Sequence, residues 1–455
     1  MKEKIEHDGT EPVSEFTRFD GNELLRLPEL GLRAVGQRHV DRGARGGVWE
    51  IRCVPVGSET LPARTCRACG RVCRVRSSWT RRLVHTPVGA DAVHLLVRVR
   101  RYECTDCARR WTDDVSGAAD GGGALTERAV WWAVAGVVLD CRSVRSVALA
   151  LDCSWGCVNG AVLAKGVERL REDASRLDGV TAIGVDEHVW RHTAHGDRYV
   201  TVVIDLTPRR DGGAARLLDM VEGRNCKAFK QWLEKQSQTF RDHVEVVAMD
   251  AFTGYKKAAR ETIPGAVEVL DPFHVVHLAA DKMDTLRCRL QIEKTGRRGT
   301  KDDPLYRARR ALRTTRAYLT GRQAERLAGL FADQANKPLE GFWNAYQQVI
   351  SCYRCEDGTD GRRMMDTLIS ELNATPKPAG QPKELRTLAR TLKRRRDDIL
   401  AYFDHPGSSN GPTEAINGRL EHLRGIALGF RNINNYITRS LLHAGGFRTY
   451  VHAKL

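Results

Sequence analysis

No run of apolar residues in this chain is long enough to cross a bilayer: the longest, Ala129 to Leu139, is 11 residues, against the roughly 20 that a spanning helix needs. The opening Met1-Lys2-Glu3-Lys4-Ile5-Glu6-His7-Asp8 lacks the apolar core of a secretory signal, and no clean heptad marks a dimer interface. Acid is scarce too, with 57 Asp and Glu against 73 Lys and Arg, a formal charge of +16 spread along the chain. These shortages exclude a bilayer-spanning protein and lead us to expect a soluble, intracellular one whose natural partner is an anionic polymer such as nucleic acid. With no export signal, the 13 cysteines point to reduced thiols or metal ligation and not to a disulfide framework. A length of 455 residues exceeds one core and predicts about three or four folded units.

Four of those cysteines carry a pattern. Cys66-Arg67-Ala68-Cys69 is followed, after 34 intervening residues, by Cys104-Thr105-Asp106-Cys107. Between them His85-Thr86-Pro87-Val88-Gly89 reads as a turn and Val93 to Tyr102 as a strand. Two C-x-x-C knuckles flanking a hairpin are the layout of a zinc ribbon over 61–115, with four thiolates closing a tetrahedral structural site. Cys73 is a further thiol that could replace Cys69 as ligand. The nearby Arg71, Arg74, Arg76, Arg81 and Arg82 suit phosphate contacts, or form an exposed basic face. Residues 1–60, with short strands such as Val48 to Arg52, read as a lead-in segment without chemistry of its own.

After the glycine-rich stretch Gly117 to Gly123, residues 124–172 read as helices. Ser143 to Leu151, the turn Asp152-Cys153-Ser154 and the helix Trp155 to Leu163 match a helix-turn-helix, with Ser154 as N-cap of the recognition helix. Arg142, Arg145, Ser154, Trp155 and Asn159 are the candidate DNA contacts. An ordinary helical hairpin has a similar pattern. Cys153 and Cys157 read as packing residues.

The chemistry lies further on. Thr181 to Asp186 and Val244 to Asp250 are apolar runs that end in an aspartate, and Glu414 follows the breaker-rich Ser408-Ser409-Asn410-Gly411-Pro412-Thr413 in what reads as the first turn of a helix. Strands at Ala182–Asp186, Tyr199–Leu206 and Ala215–Val221, then helix, strand, helix and strand to Leu270, follow the ribonuclease H-like order, which sets the first and fourth strands side by side. The expected fold is therefore multidomain α+β. Its ribonuclease H-like α/β catalytic core covers 178–275 and 406–455, interrupted by an arginine-rich helical insertion over 276–405 that docks on DNA or a partner subunit, or presents solvated faces. Two strand-end aspartates and a helix glutamate suit a pair of divalent ions for in-line phosphoryl displacement, with no side-chain nucleophile. Glu187 and Asp205 are rival carboxylates; strand alternation turns Glu187 to the opposite sheet face from Asp186.

In this order the residues resemble the DDE transposases of bacterial insertion sequences of the ISL3 type. The resemblance covers nearly the whole chain: the four knuckle cysteines, the helix-turn-helix, Gly184-Val185-Asp186-Glu187, Asp250 with Tyr255-Lys256, Asp271-Pro272-Phe273-His274-Val275-Val276, Ser409 to Arg419, and Gly429-Phe430-Arg431-Asn432. It implies an enzyme that binds the terminal inverted repeats of its own element on double-stranded DNA, then cuts and joins. Asp186, Asp250 and Glu414 are then ligands of two magnesium (or manganese) ions, beside a structural zinc. Asp271 and His274 look like the Asp-x-x-His element of several such families, supporting the site without holding the metal directly; His277 stands where a lysine is frequent. Asn417 and Arg431 contact DNA, or cap and brace helices. A homodimer or larger assembly on DNA, in the bacterial cytoplasm at the nucleoid, is also implied. Two other readings compete: a DNA-binding regulator derived from a transposase, and a ribonuclease H-like nuclease without strand transfer.

Overall fold

The computed structural model describes residues 20–43, 46–119, 122–193, 198–374 and 380–454. Met1 to Asp8 and part of Gly117 to Gly123, both read above, lie outside them. The architecture is α+β, in two compact units: Met1–Val162 with Val451–Leu455, and Leu163–Tyr450. No single helix among the described residues is long and apolar enough to cross a membrane.

The first unit is built on a mixed sheet of β1 (Leu32–Asp41), β2 (Gly47–Pro55), β3 (Arg74–Val88), β4 (Asp91–Glu103) and the short β5 (Arg110–Thr112), in the order β1-β2-β4-β3 with β5 on β4. β3 and β4 form the expected hairpin, turning at Gly89, whose φ of 60° suits a residue without a side chain. Along β4 the odd positions Val93, Leu95, Val97 and Val99 are buried, the period-two pattern of a strand with one face on a core. β1 and β2, which fall in the segment read above as a lead-in, belong to this same sheet, because β2 pairs in parallel with β4 from Val48 opposite Ala92 onward. Helices Glu127–Val138 and Val144–Ala150 follow, each opened by a hydroxyl cap: Thr126 accepts from the Ala129 amide and Ser143 from the Ser146 amide. Trp155–Leu170 continues beyond the expected Leu163 and runs into the second unit.

The second unit holds a sheet in the order β10-β9-β6-β7-β8, formed by β6 (Ala182–Val189), β7 (Tyr199–Asp205), β8 (Arg216–Glu222), β9 (Val246–Met249) and β10 (Val267–Leu270). The first three make an antiparallel meander, and β9 and β10 add in parallel on the far side of β6. The first and fourth strands of this region therefore lie side by side, as their order in the sequence predicts. Helices Cys226–Lys235 and Thr253–Thr262 cover one face, where Phe229, Trp232, Leu233 and Tyr255 pack on Ile183, Val185 and Val203. Between Pro272 and Asp404 the described residues form mainly helices, packed around a core centred on Leu286, Phe342, Val349 and Leu388. It then returns to the sheet, with Gly411–Ile426 against β6 and Ile433–Ala444 against β8.

Candidate active site

In the parallel pairing of β6 with β9, Val185 stands opposite Met249. The next residues, Asp186 and Asp250, emerge side by side where β9 ends. Asp186 is 9 % exposed and accepts the Glu187 amide at 2.8 Å; Asp250 is half-buried and accepts the Phe252 amide at 2.8 Å. Burial, then the nearby charges of Asp250, Glu187 and Asp271, push the Asp186 carboxyl up to about 7. Burial also raises Asp250, partly offset by the Phe252 amide and by His274. Both rival carboxylates are engaged elsewhere: Glu187 is exposed and pairs with Arg224 at 3.2 Å, and buried Asp205 pairs with Arg216 at 2.9 Å.

The third member of this cluster is His274. One donor atom each from Asp186, Asp250 and His274 lies within 4.8 Å of the other two. An octahedral ion with ligands at about 2.0–2.2 Å places adjacent donors about 3 Å and opposite donors a little over 4 Å apart, so a set within 4.8 Å can share one divalent cation once the side chains draw in. Two desolvated carboxylates facing one another also fit such an ion, which would relieve their repulsion. Glu414 is not in this group: it is exposed, in the first turn of the Gly411–Ile426 helix. One turn along, on the same helical face, Asn417 directs Nδ2 at Asp186 Oδ2, 3.4 Å away, while its Oδ1 is buried without a hydrogen-bond partner.

What places that helix is Asn410, which in the sequence stands both in the breaker-rich run and in the stretch that carries the family resemblance. Asn410 is 1 % exposed. Its backbone amide donates to Asp271 Oδ1 at 2.7 Å, its Nδ2 to the Val185 carbonyl at 3.2 Å, and its Oδ1 accepts the Thr413 hydroxyl at 2.6 Å. The other oxygen of Asp271 caps the Pro272–Thr295 helix through the His274 amide at 3.3 Å. Asp271 thus links the turn that carries His274 to the start of the helix that carries Glu414. Gly184 lines the same joint: a Cβ there would lie 2.9 Å from Ile204 Cγ1 and 3.0 Å from Asn410 Oδ1. Neither the run of small and polar residues around Asn410 nor the family stretch that contains it assigns it to this joint. Its partner Val185 is 225 positions away.

Comparison with known proteins bears on this arrangement. A family model for transposases of the DDE type, ISL3, matches residues 183–440, more than half of the chain. The chain belongs to the ISL3 family of DDE transposases. The transposase for insertion sequence element IS1557 of Mycobacterium tuberculosis, from strains CDC 1551 / Oshkosh and ATCC 25618 / H37Rv, is 27 % identical over 415 residues, 84 % of this chain and 86 % of that protein. The Drosophila P element transposase strand transfer complex is a far more distant likeness, at 11 % identity and a TM-score of 0.37 over 71 % of this chain and 93 % of that one. It carries no weight for the site.

In this transposase the four knuckle cysteines also converge. Cys66, Cys69, Cys104 and Cys107 place their sulfurs within 4.8 Å of one another, with Sγ–Sγ separations of 3.5 Å for Cys66–Cys107, 3.5 Å for Cys69–Cys104 and 4.0 Å for Cys69–Cys107. Four thiolates about 2.3 Å from a tetrahedral zinc sit about 3.8 Å apart, so the donor set fits that ion. Backbone amides of Cys107 and Asp106 lower Cys104 to about 6, and those of Ala68 and Cys69 lower Cys66. At Cys69 and Cys107 the lowering by the Arg71 and Arg109 amides is outweighed by contact with the neighbouring sulfurs, which raises both, the pattern of four thiols crowded together. Cys73 stands outside the group, buried, with its sulfur directed at the Arg71 carbonyl.

Among the candidate DNA contacts of the transposase, Ser154 caps its helix through the Cys157 amide at 3.2 Å. Trp155 is 54 % exposed, Arg145 is exposed and Asn159 half-buried. Arg142 is committed elsewhere: it stacks over Trp132 at 5.2 Å and donates to Ser146. Arg431 is exposed, and Asn417 faces Asp186 as described.

Proposed function

We propose that this transposase binds the terminal inverted repeats of its element on double-stranded DNA and catalyses metal-dependent cleavage followed by strand transfer. The observation that carries the reading is the parallel β6–β9 register, which brings Asp186 and Asp250 together from 64 positions apart in the sequence. On this reading the second sheet is a ribonuclease H-like core, the cysteine cluster a zinc ribbon, and Val144–Ala150 with Trp155–Leu170 a helix-turn-helix that offers Trp155 and Arg145 to DNA. The expected setting is the bacterial cytoplasm, at the nucleoid, with two or more copies of the chain pairing the element ends.

Asp186 and Asp250 would hold the magnesium or manganese, and Glu414 would join them on the DNA complex, since one turn of its helix already touches Asp186 through Asn417. When bound, the metal pair activates the attacking oxygen and stabilises the leaving one. The chain's own part is to hold two carboxylates in a desolvated cleft, where their charge is available to the metal, and to fix the approach of the glutamate helix through Asn410. A labelled-end strand-transfer assay with magnesium, comparing the wild type with Asp250→Asn, tests this. Joined products should form and disappear in the variant. Cleavage without joining would point to a nuclease; specific DNA binding with no cleavage by either protein would point to a regulator.

A further inference from the structure

His274 sits in the first turn of the Pro272–Thr295 helix, and three constraints fix that turn. Pro272 sets the helical φ at its start. Asp271 accepts the His274 amide, and Asp271 is itself held by the Asn410 amide and is 1 % exposed. The imidazole is half-buried. Among the described residues its nitrogens make no hydrogen bond and no ion pair; its one recorded ring neighbour is Phe273, edge-on at 5.7 Å. Yet carboxylate oxygens of Asp186 and Asp250 both lie within 4.8 Å of a ring nitrogen. An imidazole on a fixed helical turn that faces two acids without bonding to either leaves the space that one coordinated cation fills.

We infer that His274 is a direct nitrogen ligand of the ion held by Asp186 and Asp250, and that it biases the site toward manganese over magnesium. This rests on the proposed carboxylate metal site and specifies its donor set. Asp271 is then the residue that aims the ligand, which gives the Asp-x-x-His spacing a physical reason: a cap at one position places the side chain three residues on over the strand ends. The selectivity follows from ligand chemistry. Magnesium takes hard oxygen donors almost exclusively, whereas imidazole is a good ligand for the later divalent ions, and manganese accepts both oxygen and nitrogen. Replacing one oxygen by nitrogen weakens magnesium more than manganese.

The test is manganese binding by the full-length protein, followed by electron paramagnetic resonance, with spin-echo modulation to detect nitrogen bonded to the ion. The wild type should show imidazole nitrogen coupling, and magnesium should displace its manganese poorly. His274→Ala should lose the coupling and weaken manganese binding by at least the roughly tenfold that loss of even an outer partner costs at a metal site. Because truncation could disturb the helix start, His274→Asp provides a second arm: it should keep manganese, lose the nitrogen signal and let magnesium compete. Bound manganese without nitrogen coupling in the wild type, or coupling that persists in both variants, overturns the inference. Asp250→Asn separates the two levels of argument. If it abolishes binding while the wild type lacks nitrogen coupling, only the role of His274 fails; if binding survives in Asp250→Asn, the carboxylate site itself is wrong.

Discussion

Single residues at the joint between β6 and the glutamate helix are packed without slack. Gly184 shows this best: it sits against Ile204 and Asn410, both buried, and an added methyl must displace one of them. The methyl meets Ile204 Cγ1 first and Asn410 Oδ1 almost as closely, so relief shifts β6 against both and strains the Asn410 bonds to Val185 and Thr413. Gly184→Ala should therefore cost about 1–3 kcal/mol by overpacking and reduce strand transfer far more than the stability loss explains. Asn410→Ala should do the same from the other side, leaving the Val185 carbonyl and the Thr413 hydroxyl unsatisfied at about 1–3 kcal/mol. Thermal melts alongside the joining assay check both. A Gly184→Ala protein with unchanged melting and full activity would show that the joint is loose. Asp186 and Asp250 were legible in the sequence because each ends an apolar run. Asn410 was not, because an asparagine that closes a tertiary joint looks locally like one that starts a turn.

Elements follow the same division between local and long-range information. The strands, the cap at Ser154 and the proline-led start at Pro412 were legible, since each depends on a few neighbouring residues, whereas Ser143, read as the first helical residue, turns out to cap its helix. Less legible was what fastens the helical insertion to the core. Lys256, on the Thr253–Thr262 helix, reaches Asp398 on the Arg396–Asp404 helix at 2.6 and 2.5 Å, 142 positions away in the sequence. Lys256 also pairs with Glu268 at 3.1 Å, and Arg395 with Asp398 at 2.8 Å. Sequence reading quoted Lys256 in a family motif without a role for it; the structure makes it the cation of a mostly buried bridge. Removing Asp398 leaves Lys256 with Glu268 alone and takes from the buried Arg395 the carboxylate it pairs with. Asp398→Ala should destabilise the transposase by about 3–5 kcal/mol, and adding Lys256→Met should recover part of that. Urea unfolding of the two single variants and the double variant measures the coupling, and a loss under about 1 kcal/mol for Asp398→Ala would mean that solvent already screens the network.

For the whole molecule, the two units should respond differently to acid, because both bury histidines but the second adds carboxyls that burial raises. In the amino-terminal unit, His85 is fully buried and neutral, with Nδ1 accepting from Thr126 and Nε2 donating to the Leu25 carbonyl at 2.9 and 3.0 Å. Burial lowers it from 6.5 to about 4 and lowers His94 as well. A histidine depressed in the folded state contributes stability that is complete above its unfolded value and is lost as pH falls toward the folded one; for a shift from 6.5 to about 4 the loss at about pH 5 is roughly 2 kcal/mol. Cys104, held down to about 6, acts in the same sense, since its protonation competes with zinc. The second unit also buries histidines, with His188 lowered to about 4 and His443 to about 3. There, however, Asp186 is raised to about 7, and Asp219, Asp250 and Asp271 are also raised. A carboxyl raised in the folded state is stabilising when protonated, so acid returns about 2.5 kcal/mol through Asp186 at about pH 5, and with Asp219, Asp250 and Asp271 acting in the same sense this works against the roughly 2 kcal/mol lost through each of His188 and His443. Between about pH 7.5 and about pH 5, hydrogen exchange should accelerate in β1–β5 well before it does in β6–β10. His85→Gln, which can keep one hydrogen bond of each kind without titrating, should flatten the response of the first unit. Equal acceleration in both units, or first-unit exchange as steep in His85→Gln as in the wild type, would show that the buried histidines do not set the acid response.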